Sequence, residues 1–170
     1  PIFEDMSTYM YTTQTERKSE PVRGIVDKLP NVCWLMTQGD EIAQCYRQSI
    51  VIKLSEDELM QKIYQAFAVL MQYHDALRMN FDTKAGCLFY NDNHFAKVPQ
   101  IEIIHTDKVW IEYQEEMIRA VHTKFDLVSD LLFRVYAIYA RDGIYLFLMF
   151  HHLISDGVSL RILLDDLSNL

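Results

Sequence analysis

Long apolar runs are missing from this chain. The longest, Ile144 to Phe150, falls far short of the roughly 20 residues a helix needs to cross a bilayer. No membrane partner is therefore expected. Basic runs are missing too: 24 acidic residues against 16 basic give a formal charge of −8. Phosphate neutralisation dominates nucleic-acid affinity, so no nucleic-acid partner is expected. Cysteine is scarce. Cys33, Cys45 and Cys87 form no C-x-x-C and cannot all pair. That suggests reduced thiols in a cytoplasmic protein rather than a disulfide framework or a zinc site. The first residues show no basic-then-apolar signal pattern. With 5 glycines and 4 prolines, the composition is not that of a disordered or fibrous chain. What is present is hydrophobic: half of the 170 residues, enough for one real core.

Taken in order, Pro1 to Met10 reads as a short helix, with Phe3, Met6 and Met10 on one stripe. Thr12 to Val22 is polar and reads as a linker. A short helix is predicted over Pro30 to Thr37, and a strand over Tyr46 to Leu54. Ser55 and Glu58 form a capping box for a helix that continues to about Tyr73. Arg78 to Phe81, Cys87 to Tyr90 and Ile101 to His105 are short strand candidates. A second helix runs from about Lys108 to His122, burying Trp110, Tyr113, Met117 and Val121. Leu132 to Ala140 and Ile144 to Phe150 form a hairpin across Arg141-Asp142-Gly143. Ile144 to Phe150 is apolar throughout and should be a central strand covered on both faces. A last helix follows Gly157 and runs on at Leu170.

The candidate site is His151-His152-Leu153-Ile154-Ser155-Asp156-Gly157, at the end of that apolar strand. Adjacent residues on an extended segment point to opposite faces. One imidazole can therefore enter a cleft while its neighbour is fixed inside. An unperturbed imidazole titrates near ~6.5 and exchanges protons near neutral pH. The bland alternative is two half-buried histidines satisfied by backbone. Two adjacent histidines do not readily share one metal ion, and no other ligands cluster nearby in sequence. Asp156-Gly157 also suits a turn and helix cap.

This stretch resembles the H-H-x-x-x-D-G motif of the condensation superfamily of nonribosomal peptide synthetases. His74-Asp75-Ala76-Leu77-Arg78-Met79-Asn80-Phe81 resembles that family's H-[ED]-x-L-R-x-x-F motif. Phe125-Asp126-Leu127 with Leu132-Phe133-Arg134 resembles its F-D-L…P-L-x-R segment, a leucine standing where proline is usual. The first family motif is reduced to Pro30. The resemblance covers residues 24–170 and implies an α+β, chloramphenicol acetyltransferase-like lobe, a mixed β-sheet packed by helices. It implies the N-terminal lobe of a two-lobed domain whose active site lies in a tunnel between lobes. The C-terminal lobe, absent here, would be the partner, and the isolated lobe would be inactive. Residues 1–13 resemble the last helix of a carrier protein and 14–23 its linker to the domain.

The implied substrate is an aminoacyl or peptidyl thioester on the phosphopantetheine of an upstream carrier protein, with no cofactor bound directly. His152 would be the catalytic residue, with His151 beside it. Asp156, Gly157 and Arg78 would hold the motif, Asp156 pairing with Arg78. Val158 to Leu167 resembles the matching segment of epimerisation domains, with Leu160 in place of tryptophan. Epimerisation at the α-carbon is thus the expected activity. Amide-bond formation by a condensation domain is the alternative, and a non-catalytic carrier-docking module a further one. A free-standing acetyltransferase would leave the linker and carrier-like helix unexplained.

Overall fold

The computed structural model describes residues 20–27, 29–55, 59–95, 97–121 and 124–170. The carrier-like helix over 1–13, most of the linker over 14–23, and the Glu58 half of the capping box lie outside the described residues.

Among the described residues, seven strands and five α-helices follow in order: β1 Gly24–Val26, α1 Pro30–Thr37, α2 Asp40–Cys45, β2 Arg47–Leu54, α3 Leu59–Tyr73, β3 Met79–Asp82, β4 Cys87–Tyr90, β5 Ile101–His105, α4 Trp110–Ala120, β6 Phe133–Ala140, β7 Gly143–His151 and α5 Gly157–Ser168. Strands β2-β7-β6-β5 make one sheet and β1-β4-β3 a second. In the larger sheet β5 lies parallel to β6 and the other pairs are antiparallel, so it is mixed. This is the expected α+β arrangement.

β7 is central because its sequence leaves it no polar face. From Tyr145 to His151 every residue is buried. Each large apolar side chain among them contributes roughly 1.5–3 kcal/mol on burial. Alternation along the strand then sorts the helices. On one face Phe150 stacks on Phe133 at 5.5 Å, and Phe133 on Phe67 of α3 at 6.0 Å. On the other face, Trp110 at the start of α4 stacks on Tyr145 at 5.1 Å. The hairpin turn also holds α4. Asp142 accepts the Trp110 N–H at 2.8 Å and the Tyr145 hydroxyl at 2.8 Å.

Most elements lie within two residues of the bounds predicted from sequence. α2 and β1 carry no prediction, and α5 ends at Ser168 rather than running on at Leu170. α2 is six residues long with a single buried side chain, Ala43. Such a segment has too little periodicity to announce itself.

Candidate active site

β7 ends at His151, and its pairing with β2 determines what surrounds the two histidines. Arg47 lies opposite His151 in the register, so the next residue out, Tyr46, faces His152. The Tyr46 carbonyl accepts the His152 N–H at 2.9 Å.

His151 is fully buried. Its Nδ1 accepts the Leu153 N–H at 3.1 Å, because a backbone amide can only donate. The ring proton therefore sits on Nε2, which donates to the Ala43 carbonyl at 2.6 Å. Phe125 meets the ring edge-on at 5.6 Å. Burial pushes the His151 pKa down from 6.5 to about 4, against the pull of the Ala43 carbonyl. A second proton would also displace the Leu153 bond. His151 is thus a neutral, fully committed ring that organises the loop.

His152 is half-buried and its ring makes no hydrogen bond among the described residues. It lies flat on Tyr46, centroids 4.8 Å apart and planes 6° apart. Trp34 of α1 meets Tyr46 edge-on at 5.9 Å. Tyr46 also lines a concavity of about 450 Å³ with Glu41, Ile42, Cys45 and Lys124. The two histidines thus differ in surroundings: His151 is buried and bonded at both nitrogens, and His152 is half-buried and stacked on Tyr46.

Asp156 departs from expectation. Its carboxylate accepts the Ser159 N–H at 2.7 Å and the Ser159 hydroxyl, while Ser159 Oγ accepts the Asp156 N–H at 2.7 Å. This capping box starts α5 at Gly157. The expected Asp156–Arg78 pair is not formed. Arg78 is fully buried and donates instead to Asp75, three residues earlier, and to the Val22 carbonyl at 3.5 Å, with its guanidinium over Phe95. The reason is local: Ser159 satisfies Asp156 within one turn, so an exposed carboxylate needs no distant cation.

Asp156→Ala is expected to lower the melting temperature at neutral pH, and Asp156→Asn to restore most of it. The Ser159 bonds hold the carboxylate pKa below its ordinary value. The ionised cap therefore contributes above the ordinary carboxylate pKa and is lost as pH falls through the lowered folded value. Thermal melts of wild type and Asp156→Ala should converge across that acid window.

The other motif segments brace the site. His74 at the end of α3 reaches Asp166 of α5 at 2.8 Å. Arg134 bonds Asp130 at 2.8 Å and lies over the Phe125 ring, 4.7 Å from its centroid, and Phe125 in turn contacts His151. Asn80 donates to the Leu127 and Asp130 carbonyls at 3.1 and 2.7 Å, fixing that segment. Among the described residues no three His, Cys, Asp or Glu side chains gather as a metal site requires, and no helix is long and apolar enough to cross a membrane.

Sequence reasoning missed Ala43 and Tyr46. The β2–β7 register places Tyr46 beside His152, and no local pattern in the sequence encodes that register.

Known proteins resemble this chain in sequence and in fold. The family model of the condensation domain matches residues 31–170. Surfactin synthase subunit 1 of Bacillus subtilis (strain 168) is 27% identical over 171 residues, covering 98% of this chain and 5% of that protein. Bacitracin synthase 3 of Bacillus licheniformis is 29% identical over 178 residues, covering 100% of this chain and 3% of that protein. The epimerization domain from the third module of tyrocidine synthetase B superposes with a TM-score of 0.74 at 25% identity, covering 88% of this chain and 35% of that one. The X-domain from teicoplanin biosynthesis shares the fold, with a TM-score of 0.69 at 16% identity over 89% of this chain and 33% of that one. The chain thus spans a small part of the synthases and about a third of the solved domains. On the match over residues 31–170, the chain belongs to the condensation domain family of nonribosomal peptide synthetases.

Proposed function

We propose that the chain is the first lobe of an epimerisation domain that inverts the α-carbon of an aminoacyl or peptidyl group held as a thioester on a carrier protein. Residues 1–13 and 14–23 would be the end of that carrier and its linker. The substrate reaches the site on the carrier's phosphopantetheine, and the second lobe closes the tunnel.

The observation that carries this reading is the His152 ring, next to a buried neutral His151 and, among the described residues, without a hydrogen bond at either nitrogen. The thioester carbonyl acidifies the α-proton, and a positioned base must remove it. His152 takes that proton. A group from the second lobe returns one to the opposite face. Support for epimerisation over amide formation comes from the Val158 to Leu167 segment and from the likeness to the tyrocidine synthetase epimerization domain.

One observation favours the second reading, a condensation domain. Leu160, where epimerisation domains carry tryptophan, is buried in α5. In that reaction His152 would orient or deprotonate the attacking amine.

The test loads the upstream carrier of the intact enzyme with an L-aminoacyl group and withholds any downstream acceptor. Mixed D and L residue on hydrolysis is the expected result. Unchanged L residue, with a new amide once a downstream aminoacyl carrier is supplied, would make this a condensation domain.

A further inference from the structure

The two histidines are held by different means. His151 is locked by a hydrogen bond at each nitrogen. His152 has no such bond among the described residues. The backbone bond from its N–H to the Tyr46 carbonyl fixes how far apart the two residues sit, but not how the ring turns. Rotation of an imidazole about its outer torsion is broad and shallow. Among the described residues the ring contact that limits it is the flat stack on Tyr46, 4.8 Å between centroids and 6° between planes.

Tyr46 is poorly explained as core. It is 37% exposed, and Trp34, which braces it edge-on, is 52% exposed. Two large aromatic side chains are left at the surface in contact with each other and with His152.

We propose that Tyr46 is a positioning residue for His152. Its ring face sets the imidazole plane and so the direction in which the His152 ring nitrogens point, and Trp34 holds the tyrosine in place. This rests on His152 being the group that moves the proton. Misplacing a reacting group by about 1 Å can cost ~100-fold in rate. A stack that stops the base from turning therefore acts on kcat, with little effect on substrate binding.

The experiment compares Tyr46→Phe and Tyr46→Leu in the intact enzyme, with kcat, KM and melting temperature read for each. Tyr46→Phe keeps the flat face and should stay within about twofold of wild type. Tyr46→Leu removes it and should lower kcat about tenfold or more, with KM nearly unchanged. Should Tyr46→Leu fail to fold, Tyr46→Met removes the face with a more adaptable side chain. Trp34→Leu should lower kcat in the same direction by less. Wild-type kcat in a folded Tyr46→Leu or Tyr46→Met protein would overturn the proposal. So would a loss in Tyr46→Phe as large as in Tyr46→Leu, which would assign the role to the hydroxyl. His152→Ala, run alongside, separates the two claims. An inactive His152→Ala with a fully active Tyr46→Leu removes only the stack's role. An active His152→Ala removes the base itself.

Discussion

His152→Ala in the intact enzyme is expected to lose turnover by about 10²- to 10⁴-fold, the usual worth of a positioned general acid or base. Its melting temperature should stay within about 3 °C of wild type. The ring is half-buried and makes no hydrogen bond among the described residues, so deletion there costs the stack on Tyr46. Steady-state kinetics and a thermal melt on the same preparation check both parts. Near-normal turnover in a folded variant would remove His152 from the mechanism.

The neighbouring substitution should behave in the opposite way. His151→Ala strands the buried Ala43 carbonyl and Leu153 N–H and leaves a void against Phe125. Each unsatisfied buried group costs about 1–3 kcal/mol, and the void adds to that. A loss of roughly 3–5 kcal/mol is expected, or a melting temperature lower by about 10 °C or more. The pH dependence carries a second signature. The unfolded His151 takes up a proton near 6.5, whereas the folded one resists until about 4. Between those values the unfolded state binds more protons, so wild-type stability falls as pH falls from about 6.5 to about 4. The alanine variant lacks this slope. Chemical denaturation at several pH values measures both effects.

Much of this was legible in the chain itself. The apolar run Ile144 to Phe150 could only be a strand covered on both faces, and the Asp142-Gly143 turn could only close a hairpin. Those two features already put the histidine pair at the end of a buried strand. Alternation allowed one imidazole inside and the other in a cleft, but β7 ends at His151 and His152 already lies in the turn. What could not be read was set by partners distant in sequence. Tyr46 meets His152 through the β2–β7 register, and Ala43 reaches His151 from a helix too short to show a period. The Asp156–Arg78 pairing failed for a reason of the same kind. Family likeness supplied a distant partner, while Ser159, three residues away, satisfied the carboxylate first. Local hydrogen bonds win such contests because little chain must be ordered to make them.

The central claim is that His152 breaks the bond between the α-carbon and its hydrogen. The most direct measurement loads the upstream carrier of the intact enzyme, incubates it in D2O without a downstream acceptor, and weighs the released residue. Gain of one deuterium in the wild type, and none in a folded His152→Ala protein, is the expected result. No deuterium in the wild type would contradict it, as would the same gain in both proteins.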